Sequence, residues 1–440
     1  MKKKIMVVLC ASSALNYIED ILNAGYEPVI LEPFVPENQR NEARKVFDGE
    51  YARLKCQRPQ VYMAKEKYED TLAMVREIDP CVIVPGTDFA LELATNLAYD
   101  LGLPCNNPKQ LPYLREKDKM QEAAKAAGLR YIRGKVVKTT EEALDYYHNE
   151  LKGKPAIVKP LRGAGSAGVV ACLNEEELIA AVSEDIELAK KKNAPDIAVL
   201  VQEMIIGTEY FVNTVTQNGR TVVTNVMRYD KRKFTAERPV YVRGTAISNN
   251  DPIYHTLCGY VIDVVNATGL TIGPLHTEVM VDEEGPVLIE VNARLAGADQ
   301  PAAWQDRVMG IHESDISLRA YLGKDITRNS YDDYAAVGSQ DGKYSFYSRR
   351  CSGCFQFAVT TRDFDAEEFI GKELIESFAS TYSWVGFEAP RHYATTKDFF
   401  TIMGLIFLAN DSEEEYDRDY LALLDIEMNH VERLFRLAKV

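Results

Sequence analysis

No stretch of this sequence is apolar for long enough to cross a bilayer. The longest apolar run past the start, Ile402 to Ala409, is broken by Gly404 and is far too short. No block of Lys or Arg could follow a nucleic-acid backbone, and 51 basic against 66 acidic residues leave a net charge of −15. Nucleic acid and anionic membrane are therefore poor partners, and an anionic substrate would have to be held by a few converging cations or a metal. Histidine is scarce at six residues; none stands in an HExxH pattern, and no GxxxxGK[ST] loop occurs. Eight cysteines lie scattered through 440 residues without the density of a small secreted scaffold, which fits reduced thiols and predicts a cytoplasmic protein. The one CxxC, Cys351 to Cys354, has no second pair and no histidine nearby, so packing is its expected role.

At this length roughly three domains are expected, and 46% hydrophobic residues supply ample core. The start, Met1 to Cys10, has too short an apolar centre for a secretory leader and reads as a buried first strand. Continuous apolar runs at Ile5–Leu9, Pro28–Leu31 and Cys81–Val84 alternate with helical patterns, as parallel strands covered on both faces do. A charged helix from about Glu116 to Ala127 follows, then a strand, helix, strand, hairpin, strand, helix, strand order to Gln202. Asn218-Gly219 marks a type I′ hairpin turn, and an amphipathic helix is expected from Glu414 to Leu437.

Gly163, Gly165 and Gly168 have the spacing of a dinucleotide fingerprint, GxGxxG. That motif needs a helix leaving the glycines, whereas Val169 to Leu173 is an apolar run of strand length. A capping box, Asn174 with Glu177, opens the helix only afterwards. The glycines therefore join two strands, in a hairpin whose backbone N–H groups could cradle phosphates beside Lys159.

Thr277 to Arg294 is a second hairpin. A three-residue loop, Glu283-Glu284-Gly285, would put Glu278 opposite Glu290; a two-residue turn would put Thr277 there instead. Opposed carboxylates destabilise a sheet pair and need a cation. Glu290, Asn292 and Arg294 share one face of their strand, so Glu278, Glu290 and Asn292 make an oxygen set suited to Mg2+, with Arg294 beyond.

In order, Lys159 before the glycine hairpin, Gln202-Glu203-Met204 with Gly207 and Glu209, and Glu290-x-Asn292-x-Arg294-x-x-Gly297 resemble the ATP-grasp superfamily over about residues 110 to 300. The resemblance implies an α/β and α+β multidomain chain with the ATP-grasp fold. It divides into a Rossmann-like pre-ATP-grasp domain (1–112), a lid subdomain (113–205), a large subdomain with the metal site (206–330) and a C-terminal α+β part (331–440). It implies that Lys119 and Lys159 contact the phosphates of ATP while Gly163, Gly165, Ser166 and Gly168 close over them. Glu203, with the backbone of Met204 to Ile206, would meet adenine, and Glu209 the ribose. Glu278, Glu290 and Asn292 would carry two Mg2+ ions, with Mn2+ able to substitute, and Arg294 would stabilise an acyl phosphate and the tetrahedral species after it.

His276-Thr-Glu278 and the string Asn292-Ala-Arg-Leu-Ala-Gly297 are most like the L-amino-acid ligases that form dipeptides, which brings His276 in as a substrate contact. The implied partners are small carboxylates and amines, amino acids above all, with room left for a homodimer. Arg228, Arg243 and the Lys231 to Lys233 cluster are charge-based candidates for binding substrate carboxylates. Two alternatives stay open: another ATP-grasp ligase with a non-amino-acid acid or amine, and an ATP-binding regulatory protein without turnover.

Overall fold

The computed structural model describes residues 2–161, 168–191, 198–233, 239–331 and 333–438. The chain opens with four parallel strands, β1 (Lys4–Val8), β2 (Glu27–Glu32), β3 (Gln60–Met63) and β4 (Pro80–Pro85), in the order β3-β2-β1-β4. The chain leaves β1 towards β2 on one side while β4 flanks β1 on the other. The crevice outside their carboxyl ends is thus a topological switch point, where open α/β sheets bind ligands.

A four-stranded sheet follows, built from β5 (Gly134–Val137), β6 (Ala156–Pro160), β7 (Val170–Cys172) and β8 (Val199–Glu203) in the order β5-β8-β6-β7. β6 and β7 are antiparallel, pairing Ala156 with Cys172 and Val158 with Val170. The glycine motif therefore joins two strands, as its flanks imply. Gly163, Gly165 and Ser166 lie outside the described residues; Gly168 has φ +73°. The capping box forms: Glu177 N–H donates to Asn174 Oδ1 (3.0 Å) and Leu173 N–H to Glu177 Oε2 (2.8 Å).

A ten-stranded sheet carries the rest. Its path starts with β13 (Gly285–Asn292) and β12 (Ile272–Asp282), continues through β9 (Thr208–Gln217), β10 (Arg220–Lys233) and β11 (Pro239–Ala246), and ends with strands Ser352–Ala358, Gly404–Asn410 and Thr381–Gly386. Asn218 and Gly219 both have positive φ, 49° and 80°, which is the type I′ turn. Cys351 and Cys354 are buried in the core with Trp304 and Phe355, which is the packing role expected of them. The closing helix is shorter than its amphipathic pattern suggests. It runs Glu413–Asn429 and gives way to a short turn and a strand, Phe435–Leu437, because Phe435 is drawn into the core beside Phe364 and Tyr393. Among the described residues no helix is long and apolar enough to cross a membrane.

Candidate active site

The β12–β13 hairpin sets the centre of the site. Its turn has two residues, since Asp282 pairs with Gly285, and the ladder runs regularly to Val279 opposite Leu288. Continued unbroken, it would put Thr277 opposite Glu290. A β-bulge at Ile289 shifts the register by one, and Glu278 faces Glu290 after all. A bulge re-aims side chains in this way and is common beside active sites. The helix Lys117–Ala126 docks on it: Gln121 Nε2 donates to Leu288 O (2.8 Å), and Met120 Sδ accepts from Val291 N–H (3.4 Å).

That docking brings Lys117 to the site, with its Nζ 2.8 Å from Glu290 Oε2. Lys119, expected at the phosphates, is instead turned outward and holds Glu122 at 2.9 Å. The reason is helical geometry, since two residues along a helix of 3.6 per turn point to nearly opposite faces. Buried positions 117, 120, 121 and 124 follow the i, i+3, i+4, i+7 pattern of a docked face, a signal readable in the sequence.

One cavity of about 430 Å³ collects most of the remaining residues, including Lys117, Lys159, Glu203, Glu209, His276, Glu278, Glu290 and Arg294. Lys159 on β6 is buried, and burial lowers its pKa to about 8. Burial raises the carboxyl of Glu278, and the charge of Glu290 opposite raises it further. Burial acts on Glu290 in the same sense, but Lys117, then Lys159, overcome it and hold that carboxyl low. Asn292 Nδ2 donates to Glu290 Oε1 at 3.2 Å. Two facing carboxylates, one of them without a lysine or arginine partner among the described residues, plus an amide whose oxygen is available on rotation, fit a hard cation such as Mg2+.

His276 Nδ1 lies 2.7 Å from Asn213 Oδ1, and Nε2 lies 3.4 Å from Glu278 Oε1. Burial, then the charge of Arg294, lowers its pKa to about 3, so the ring is neutral. Arg294 Nε donates to Asp88 Oδ2 at 2.8 Å.

At the other end, Glu203 is clamped by Arg133, whose backbone N–H and Nη2 reach its two oxygens at 2.9 and 2.7 Å. Its side chain is thus committed to the protein, although it remains on the cavity wall. Ile205, not Ile206, lines that wall; Ile206 is 76% exposed, and Met204 N–H is bonded to Pro155 O. Glu209 is buried and gives its oxygens to Lys231 Nζ and to Tyr241 OH, the latter at 2.7 Å. Arg228 and Arg243, the charge-based candidates, both pair with Asp230 and lie outside the cavity wall, while Lys231 lines it. The sequence reading missed Lys117, Asp88, Ser12 and an aromatic wall of Tyr229, Tyr241, Phe357 and Phe399.

Residues 152–301 match the family of the ATP-grasp domain. Among relatives, the chain is 28% identical to dapdiamide A synthase of Enterobacter agglomerans over 313 residues, which are 68% of this chain and 69% of that one. Its fold is similar to that of an L-amino acid ligase from Bacillus licheniformis, with TM-score 0.70, 18% identity, and coverage of 97% of this chain and 98% of that one. It is also similar to carboxyaminoimidazole ribonucleotide synthase from Aspergillus clavatus complexed with ATP, with TM-score 0.67, 12% identity, and coverage of 97% and 98%.

Proposed function

We propose that this protein joins two L-amino acids into a dipeptide, phosphorylating the carboxylate of the first and releasing ADP and phosphate. The observation that carries the reading is the convergence of Lys117, Lys159, Glu278, Glu290 and Arg294 on one cavity. Among the described residues no cysteine lines that cavity, and the route proposed needs no covalent enzyme nucleophile. A carboxylate oxygen of the first amino acid bonds to the γ-phosphorus of ATP as ADP leaves. The amine of the second attacks the acyl carbon, phosphate departs with that oxygen, and the nitrogen loses a proton.

Bound Mg2+ supplies charge neutralisation at the phosphates, and Glu278, Glu290 and Asn292 are the residues to hold it. Lys117 and Lys159 are cations fixed near the same point in a water-poor site, where preorganised charge is most effective. Arg294 faces the negative charge that develops on the acyl group. The glycine hairpin, at Gly163, Gly165, Ser166 and Gly168, would cover the phosphates; Ile205 and its neighbours would meet adenine, and Glu209 with Lys231 the ribose.

Amino-acid substrates are supported by the names of two relatives, dapdiamide A synthase and an L-amino acid ligase. The cavity adds a second argument. Its aliphatic residues, Ile132, Ile157, Ile205, Met280 and Ile289, come from the small sheet, the linkers beside it and the metal hairpin, and suit a flat base. Its aromatic ones come from β10, β11 and the C-terminal part, and run as touching pairs: Tyr229–Tyr241 (4.5 Å), Tyr241–Phe357 (6.2 Å) and Phe357–Phe399 (6.0 Å). That wall favours an amino acid with a large apolar side chain.

The test is incubation with ATP, Mg2+ and pooled amino acids, following ADP, AMP and phosphate while scanning for new masses. ADP release that depends on amino acids, with a product of two amino acids less water, is expected. ATP binding with no amino-acid-dependent turnover would overturn the reading.

A further inference from the structure

We propose that Asp88, contributed by the N-terminal α/β unit, is a positioning residue that orients the Arg294 guanidinium for ligation. This rests on the ligase reading above. Asp88 lies just beyond the carboxyl end of β4, at the switch-point crevice, 206 residues away in sequence from the arginine it meets. The loop that carries it has little freedom. Gly86 N–H bonds Val8 O at 2.8 Å, and a Cβ on Gly86 would lie 2.2 Å from Leu9 O, so the loops after β1 and β4 touch.

The segment after Arg294 is tied to the same unit. Asn16 Nδ2 donates to Gln300 O (2.9 Å), Gln300 N–H to Ser13 Oγ (3.2 Å) and Asp299 N–H to Ser12 Oγ (3.3 Å), while Arg53 pairs with Asp299 at 3.2 Å. Backbone strain gathers there: Leu9, Ser12, Ala298 and Asp299 have φ between 47° and 63°. Such conformations cost roughly 1–3 kcal/mol each and persist only where the surroundings impose them.

The guanidinium is held on two sides. Nε donates to Asp88, and Nη1 donates to Leu295 O at 2.9 Å, which among the described residues leaves Nη2 for the cavity that Arg294 lines. Asp88 is not itself on the cavity wall, so it acts through the arginine. A guanidinium already oriented needs no reorganisation when charge develops, and this is what makes a preorganised donor effective. The N-terminal unit would thus complete a site whose other charged residues come from later in the chain.

The experiment compares full-length wild type with Asp88→Ala, Asp88→Asn, Arg294→Ala and Asp88→Ala/Arg294→Ala, measuring kcat and KM for ATP and amino acids alongside Tm. The expected result is a fall in kcat of about 10–100-fold for Asp88→Ala, by analogy with the loss when a hydrogen-bonding partner that orients a metal ligand is removed. The ATP KM should stay within about twofold. Asp88→Asn, which keeps an acceptor oxygen and the fold, should recover most of the rate, and the double variant should be no slower than Arg294→Ala. Unchanged kcat in Asp88→Ala, additive losses in the double variant, or an effect confined to the KM of one amino acid would overturn the proposal. With wild type active, any of these sinks the positioning role alone. Wild type that forms no dipeptide sinks the ligase reading and the proposal with it.

Discussion

Replacing Lys117 by methionine keeps the length of the side chain and removes a buried cation from beside Glu290. The side chains are 10% and 16% exposed and the N–O distance is 2.8 Å. With an effective dielectric of about 20, the gross attraction at that distance is about 6 kcal/mol. Desolvation of both ions takes back part of it, and leaving one partner of a buried pair alone costs ~3–5 kcal/mol. Lys159 also bears on Glu290, so the stability loss should fall at the lower end. Catalysis should suffer more, because one fixed donor to developing charge is worth ~10²–10³ in kcat.

Lys119→Met is the matched control. That side chain is 37% exposed and meets Glu122, and such surface pairs contribute about 0–1 kcal/mol. Steady-state ADP release at saturating ATP and amino acids, with Tm recorded for each variant, separates the two. A Lys119→Met loss as large as that of Lys117→Met would refute the placement of the helix face and the role given to Lys117.

Glu278→Gln should raise the Mg2+ concentration for half-maximal activity at least tenfold, since the neutral amide cannot balance the cation; an unchanged metal titration would argue against the hairpin as the metal site. Phe357→Ala should lower kcat/KM for large apolar amino acids by at least about 10–200-fold while sparing alanine, the range for one methylene of pocket contact; equal loss for both would remove the aromatic wall from specificity. His312 has both ring nitrogens 2.8 Å from carboxylate oxygens, of Asp20 and Asp306, so the ring is held as the imidazolium. Burial alone would lower its pKa, but those two partners raise it to about 10. Its contribution, of the order of a few kcal/mol, is complete below the unfolded value near 6.5 and is lost as pH rises through 10. Tm should therefore fall more steeply from pH 6.5 to 10 in wild type than in His312→Asn, and parallel curves would contradict the paired imidazolium.

Local pattern carried the β12–β13 hairpin and the glycine motif well. The flanks of Gly163 to Gly168 announced two strands, and the apolar setting of Glu278 and Glu290 announced a buried pair. Yet the pair faces correctly for a different reason from the one the turn suggested: the turn is a residue shorter, and the bulge at Ile289 makes up the difference. A bulge leaves no mark in a period-two pattern until the partner strand is known. The resemblance points to Lys119, whereas helical periodicity puts Lys117 with Met120 and Gln121 on the docked face.

Asp88 and Ser12 lay beyond reach because their partners are more than 200 residues away and no local rule links them. The same holds for Phe357, which reaches the cavity only because its strand joins the sheet beside β11. Charge alone misled at Arg228 and Arg243: Asp230, two residues from Arg228, pairs with both.

The central claim is that the carboxylate of one amino acid is activated by phosphoryl transfer in this cavity. An amino acid labelled with 18O in its carboxylate, incubated with ATP, Mg2+ and the second amino acid, tests it directly by mass analysis of the phosphate and nucleotide released. The account predicts one labelled oxygen in the phosphate of each turnover and none in the nucleotide. Label recovered in AMP, or phosphate carrying none, would contradict it.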